Sequence, residues 1–254
     1  MKSKNKYIGY YILYLLFIVY SGLFFSKEIE LYTDDIADLF IYANTYHVLG
    51  TKINAMNILM IAFPTIMMIS LFADSIAIEL EKNAMYIFTR SNKKQKWFLN
   101  KCLKIFMKLV VVNMVFMVFQ LFVFGCMGFK VSFIDELIVI YFKILIFRLL
   151  SQYTLILLSN IIAVKFNSIA GYLMTCTIYI LSIIFFHTLY RVINIYNLPF
   201  MQNYAVIYIL NKYKYPFLNI DIYGNVWESV ICGLIYLAVI IVLGNFIIKR
   251  KDFL

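Results

Sequence analysis

Long apolar stretches alternate with short charged ones along the whole chain. A helix of about 20 apolar residues spans the hydrocarbon core of a bilayer. By that measure the pattern predicts six membrane-spanning helices, at residues 7–25, 55–73, 109–128, 144–164, 169–187 and 230–248. The fourth lies in an apolar run, 135–164, that is either one tilted helix or an interfacial helix followed by a span. The fold class predicted is therefore an all-α polytopic membrane protein, with one domain over residues 1–254.

Two long polar segments join these spans on what we predict to be the outer side. In the segment 26–54, Ile36, Leu39 and Phe40 stand near helical spacing and indicate a short helix. In the segment 188–229, the apolar middle 200–210 suits a re-entrant or interfacial helix. The first apolar run is longer than a signal-peptide core and no small-residue cleavage site follows it, so we expect it to be retained as the first span.

Composition and charge support this topology. The chain is 64% hydrophobic and 14% charged, whereas a soluble domain is roughly half apolar and a quarter charged. Of its 23 Lys and Arg residues, 15 fall in the predicted inner segments and 6 in the predicted outer loops. Cytoplasmic loops carry such an excess of positive charge. We therefore place both termini in the cytoplasm and attribute the net charge of +10 to topology rather than to nucleic-acid binding.

The stretch 74–108 is the longest charged interruption between two spans. Leu80, Ala84 and Phe88 follow one another at four-residue spacing, which predicts a short amphipathic helix over about 79–93. Acidic residues lie at the N-terminal end of this stretch and basic residues at its C-terminal end, and both placements are favourable for the helix dipole. Trp97 and Lys101 follow, where an aromatic ring and a basic side chain would anchor the chain at a membrane interface.

The sequence lacks the common catalytic motifs, and no paired acids lie inside a predicted span. The two histidines, His47 and His187, lie 140 positions apart, and neither has a partner at metal-ligand spacing. There is no G-x-S-x-G, no H-E-x-x-H and no P-loop. The four cysteines form no C-x-x-C; Cys126 and Cys232, both near predicted outer helix ends, are the pair that could meet. We predict no catalytic residue, no metal and no cofactor bound by this chain.

A few polar side chains lie inside the predicted spans. Arg148 and Gln152 stand at i, i+4 on the fourth span, and Asn113 and Gln120 stand at i, i+7 on the third. Each pair therefore shares a helix face. Two interpretations remain open: hydrogen bonding between helices, or the lining of a substrate path. Arg148 is the strongest candidate for a cavity residue, because a guanidinium inside a membrane needs a polar partner or water.

The charged stretch resembles the first cytoplasmic loop of type-2 ABC exporter permeases. The residues concerned are Glu79-x-Glu81-Lys82, then Thr89-Arg90-Ser91, then Lys96-Trp97-x-x-x-Lys101. In that family an acidic coupling helix leads through an arginine-containing turn into the third span. Asn83-Ala84 replaces the family's usual glycine. The closest members are small permeases of lantibiotic and other antimicrobial-peptide export or immunity systems.

The resemblance implies a permease subunit in a bacterial cell membrane that pairs with a separate ABC ATPase, on which ATP and magnesium would bind. It implies a second copy or a related permease, and an amphipathic peptide or lipid-like substrate. Independently of the resemblance, the basic cluster from Lys93 to Lys108 is expected to contact anionic membrane lipids. The expected contacts with the ATPase are Glu79, Glu81, Lys82, Met85, Phe88 and Arg90. The alternative is a non-transporting immunity or sensor partner that docks a cytoplasmic regulator.

Overall fold

The protein is all-α in the part of the chain that the computed structural model describes, which is residues 2–29, 34–45, 55–81, 94–196 and 226–250. Seven helices lie there: α1 (Lys2–Ile29), α2 (Ile36–Thr45), α3 (Ala55–Phe72), α4 (Lys94–Cys126), α5 (Ile134–Lys165), α6 (Ser168–Tyr196) and α7 (Val226–Arg250). The predicted helix at 200–210 lies outside these residues, as does the predicted coupling helix beyond Glu81.

Three stretches of the described chain are long and apolar enough to cross a membrane: Ile8–Ser26, Ala62–Glu81, which runs past the end of α3, and Lys94–Cys126. The first agrees with the predicted span 7–25. The second overlaps the predicted 55–73 only over residues 62–73, and the third extends the predicted 109–128 toward the N-terminus. Large apolar side chains on them also point outward; Leu16 is 63% exposed and Phe122 is 66% exposed. Soluble proteins seldom present large contiguous apolar surfaces. Length, composition and exposure together indicate a multi-pass membrane protein.

The remaining predicted spans fall on three further helices. Shorter apolar stretches, Ser168–Ile184 in α6 and Gly233–Lys249 in α7, coincide with the fifth and sixth. The fourth lies within α5, which is one continuous helix of 32 residues rather than an interfacial helix followed by a span. The all-α class is thus confirmed, and a total of six spans stays a prediction.

Helix α5 is the centre of the bundle, since it contacts α2, α3, α4, α6 and α7. Its first turns are largely exposed, whereas most residues from Ile144 to Val164 are buried. Neighbouring helices rather than lipid therefore surround its second half. This explains how α5 accommodates polar side chains in a span of otherwise apolar composition, because partners on other helices can satisfy them.

Helix α2 is the short helix predicted in the segment 26–54, but it is buried inside the bundle. Leu39 and Phe40 have no exposed surface. The Asp35 carboxylate caps the helix by accepting a hydrogen bond from the Ala37 N–H at 2.8 Å. The Ile36 N–H donates to the Lys130 carbonyl at 2.9 Å, which ties the start of α2 to the segment after α4. The helix begins at one end of the bundle and runs inward.

Helices α5 and α6 approach each other closely beside the turn that joins them. The Asn167 side chain caps α6 by accepting a hydrogen bond from the Ala170 N–H at 2.7 Å. One turn later, a Cβ on Gly171 would lie 2.5 Å from the Ser159 carbonyl oxygen and 2.8 Å from the Ala163 Cβ. Small residues permit such close packing of membrane helices, so Gly171 sets the separation of α5 and α6.

Candidate functional site

The helical path that begins in α3 is interrupted after Phe72 and resumes over residues 75–81. The Asn160 side chain of α5 fills the interruption. Its Nδ2 donates to the Phe72 carbonyl at 2.7 Å, and its Oδ1 accepts from the Ile76 N–H at 2.8 Å. In an unbroken helix those two backbone groups would bond to each other, since they are four residues apart. The carboxamide therefore replaces one backbone hydrogen bond of the helix. A side chain inserted between backbone groups in this way is a known cause of helix kinks.

The resumed helix carries the acidic start of the predicted coupling helix. Glu79 forms an ion pair with Lys101 of α4. This pair joins the helical stretches on either side of residues 82–93. Glu81 is exposed, and Trp97 is half-buried against the core. We call Glu79, Glu81, Trp97 and Lys101 the charged edge. The other predicted ATPase contacts, Lys82, Met85, Phe88 and Arg90, lie outside the described residues.

A second polar group lies deeper in the bundle, around Arg148. Its Nη1 donates to the Asn44 Oδ1 at 3.0 Å, and its Nη2 donates to the Tyr14 hydroxyl. The Asn44 Nδ2 in turn donates to the Gln120 Oε1 at 3.2 Å and to the Phe40 carbonyl at 2.9 Å. We call Tyr14, Asn44, Gln120 and Arg148 the polar centre. It links α1, α2, α4 and α5.

An amide pair lies on the same two helices, α4 and α5. The Asn113 Nδ2 donates to the Gln152 Oε1 at 2.9 Å, and neither side chain has exposed surface. The Asn113 Oδ1 and the Gln152 Nε2 have no hydrogen-bond partner. Gln152 follows Arg148 by one helical turn, so this unused donor lies on the Arg148 face of α5.

A further pair of buried polar side chains joins α3 to α6. The Tyr179 hydroxyl donates to the Thr65 Oγ1 at 3.3 Å, and both side chains are buried. The hydrogen bonds of Arg148 itself place its guanidinium, on α5, against α1 and α2.

The four intramembrane residues that the sequence singled out do lie together at the contact between α4 and α5. Asn113 bonds to Gln152 directly, and Gln120 is joined to Arg148 through Asn44. Hydrogen bonding between helices, the first of the two interpretations, is thus observed. Their lining a substrate path stays a prediction.

Tyr14, Asn44 and Asn160 were not predicted as site residues. Tyr14 is one of 21 tyrosines, and Asn44 belongs to a segment predicted to be an outer loop. Only Asn160 had a usable signal, because a buried amide within a predicted span always needs partners.

Neither a metal site nor a disulfide is found within the described ranges. No group of three His, Cys, Asp or Glu residues there could hold a metal ion. Cys126 is an exposed free thiol, and the side chain of Cys232 lies outside the described residues.

Comparisons with known proteins assign no family to the chain. No protein-family profile matches it, and neither a curated protein nor a solved structure resembles it significantly. Its long apolar helices identify the protein as a multi-pass membrane protein, all-helical in the described residues, with two polar assemblies: the charged edge with Asn160, and the polar centre.

Proposed function

We propose that this chain is the membrane-spanning permease subunit of an ATP-driven ABC exporter that expels an amphipathic peptide or lipid-like substrate. Antimicrobial-peptide immunity is one role such an exporter serves. The observation that carries the proposal is the Glu79–Lys101 ion pair, because it joins both ends of the segment that resembles a coupling helix. A displacement of residues 82–93 would then act on both flanking helices together.

The contacts around Asn160 extend this argument to the centre of the bundle. Asn160 belongs to α5 and bonds to backbone groups on both sides of the interruption after α3. Movement at the charged edge would therefore reach α5, which contacts five other helices. Rigid helices that shift against one another are a common way of transmitting conformational change.

The proposed partners are a separate ATPase subunit, which would bind ATP and magnesium, and a second permease, either an identical copy or a related chain. Glu81, being exposed, is available to a partner on the cytoplasmic side. The bases Lys96 and Lys104 are also exposed and suit anionic lipid headgroups there.

The test is to purify the chain together with ATPases encoded by neighbouring genes and to measure binding and ATP hydrolysis. Glu81→Ala and Arg90→Ala should each weaken the complex by about tenfold, the usual consequence of truncating an important interface side chain. Glu136→Ala is the matched control, since it removes an exposed carboxylate at the far end of α5. It should leave the complex unchanged.

Two results would contradict the proposal. One is that no ATPase associates with the wild-type chain; the alternative function, a docking partner for a cytoplasmic regulator, would then take its place. The other is that Glu81→Ala, Arg90→Ala and Glu136→Ala all bind the ATPase as well as the wild type does.

A further inference from the structure

Arg148 places a permanent positive charge near the middle of a long apolar helix, where its side chain is partly buried. At 1.5 Å per residue it lies about 21 Å from the start of α5 and about 25 Å from its end. A guanidinium is not deprotonated in proteins, and an uncompensated charge at that depth in a membrane is costly. Arg148 therefore requires compensation from its surroundings.

The protein partners of Arg148 compensate its positive charge only in part, because both partners are neutral. They are the Tyr14 hydroxyl and the Asn44 carboxamide. Neither of these partners of Arg148 is a carboxylate. Two of the five N–H donors of the guanidinium are used by these partners, and the others have no acceptor among the described residues. One turn away, the buried amide pair leaves one donor, the Gln152 Nε2, and one acceptor, the Asn113 Oδ1, without a partner.

The guanidinium is held in place by side chains that are themselves anchored. The Tyr14 ring is buried and packs on Phe116 with 4.1 Å between ring centroids. Asn44 is fixed by its bonds to Gln120 and to the Phe40 carbonyl. A preorganised site spends less free energy on ordering when a ligand binds. A guanidinium fork also matches the paired oxygens of a phosphate or a carboxylate.

We propose that the polar centre binds the anionic headgroup of a membrane amphiphile, a phosphate or a carboxylate, with Arg148 as the residue that pairs with it. The depth of Arg148 and the apolar exterior of α1 and α4 favour a ligand with an acyl chain over a free ion. The binding rests on the contacts of the polar centre and does not depend on the docking of an ATPase.

The test is a titration of the purified chain in neutral detergent, followed by native mass spectrometry. Three probes are compared: dioleoyl phosphatidic acid, dioleoylglycerol with the same tails but no anion, and inorganic phosphate. The wild type should bind phosphatidic acid at least about tenfold more tightly than either other probe, as expected for a charge-assisted bidentate pair. Arg148→Gln should abolish this preference. Lys143→Gln, which removes a charge from the same helix, should retain it.

A second variant keeps the test decisive if Arg148→Gln does not fold. Asn44→Asp puts a carboxylate at the position that accepts from the Arg148 Nη1. It should raise the melting temperature and weaken phosphatidic acid binding by about tenfold, because an internal anion competes with the ligand.

Three outcomes would overturn the proposal. The first is equal binding of phosphatidic acid and dioleoylglycerol by the wild type. The second is binding of inorganic phosphate as tight as that of phosphatidic acid, which would make the ligand a free anion. The third is undiminished binding of phosphatidic acid by folded Asn44→Asp or Arg148→Gln.

Discussion

At the scale of single residues, Asn160 holds the interruption after α3 in place. Two of its hydrogen bonds replace the missing backbone bond between Phe72 and Ile76, and its Nδ2 also donates to the Ile156 carbonyl at 2.8 Å. Asn160 has no exposed surface. The oxygen and the nitrogen of this buried carboxamide both form hydrogen bonds. Such a group specifies one arrangement of its neighbours, because any other arrangement would leave polar groups unpaired.

We expect Asn160→Leu to lower the free energy of unfolding by about 2–3 kcal/mol, since it removes the bonds between α5 and the α3 interruption and leaves buried backbone groups to find new partners. The measurement is thermal unfolding in detergent. Ser159→Ala is the matched control: Ser159 is equally buried, but its hydroxyl has no partner. It should change stability by less than about 0.5 kcal/mol. Equal melting of the two variants would show that the Asn160 bonds contribute nothing.

At the scale of helices, the contact between α5 and α6 depends on a glycine. The Gly171 backbone lies against Ser159 and Ala163 so closely that no side chain fits between them. The cap by Asn167 fixes where α6 begins, so Gly171 faces α5 one turn later. Dispersion contacts between closely packed backbones stabilise membrane helix pairs in place of a hydrophobic driving force.

Gly171→Ala should therefore destabilise the protein by about 1–3 kcal/mol, because its methyl group would force the two helices apart. Thermal unfolding in detergent measures this. Gly9→Ala in α1 is the matched control, since a Cβ there meets nothing within 4 Å. Alanine favours a helix over glycine by about 1 kcal/mol, so Gly9→Ala should melt at or slightly above the wild-type temperature. If Gly171→Ala also melted at or above the wild-type temperature, the inferred close contact between α5 and α6 would be wrong.

At the scale of the whole molecule, the bundle has two distinct ends. The turn between α5 and α6 lies at one, together with the contact of Phe98 and Ile161 with Gly244. The pairing of Asp35 with Lys130 lies at the other. The positive-inside rule assigns the first end to the cytoplasm. Six spans with both termini inside are consistent with this arrangement.

Thiol labelling in whole cells tests this orientation. In a variant that keeps Cys126 alone, a membrane-impermeant maleimide should label the thiol in intact cells, because Cys126 is exposed near the end predicted to be outside. In a cysteine-free variant with Lys165→Cys, labelling should require permeabilised cells. Cys102 alone, which is buried, should react only after denaturation. Labelling of both exposed positions from the same side would refute the six-span topology.

Sequence alone determined the membrane character, the all-α class and the positions of most helices, because hydropathy and helical spacing are local properties of the chain. It also picked out Asn113, Gln120, Arg148 and Gln152, since polar groups inside apolar runs are conspicuous. Tertiary structure alone decided their partners. Tyr14 and Asn44 are 134 and 104 positions from Arg148 along the chain. No local pattern encodes contacts over such separations; they arise only when the packed helices bring buried donors to the acceptors that they require.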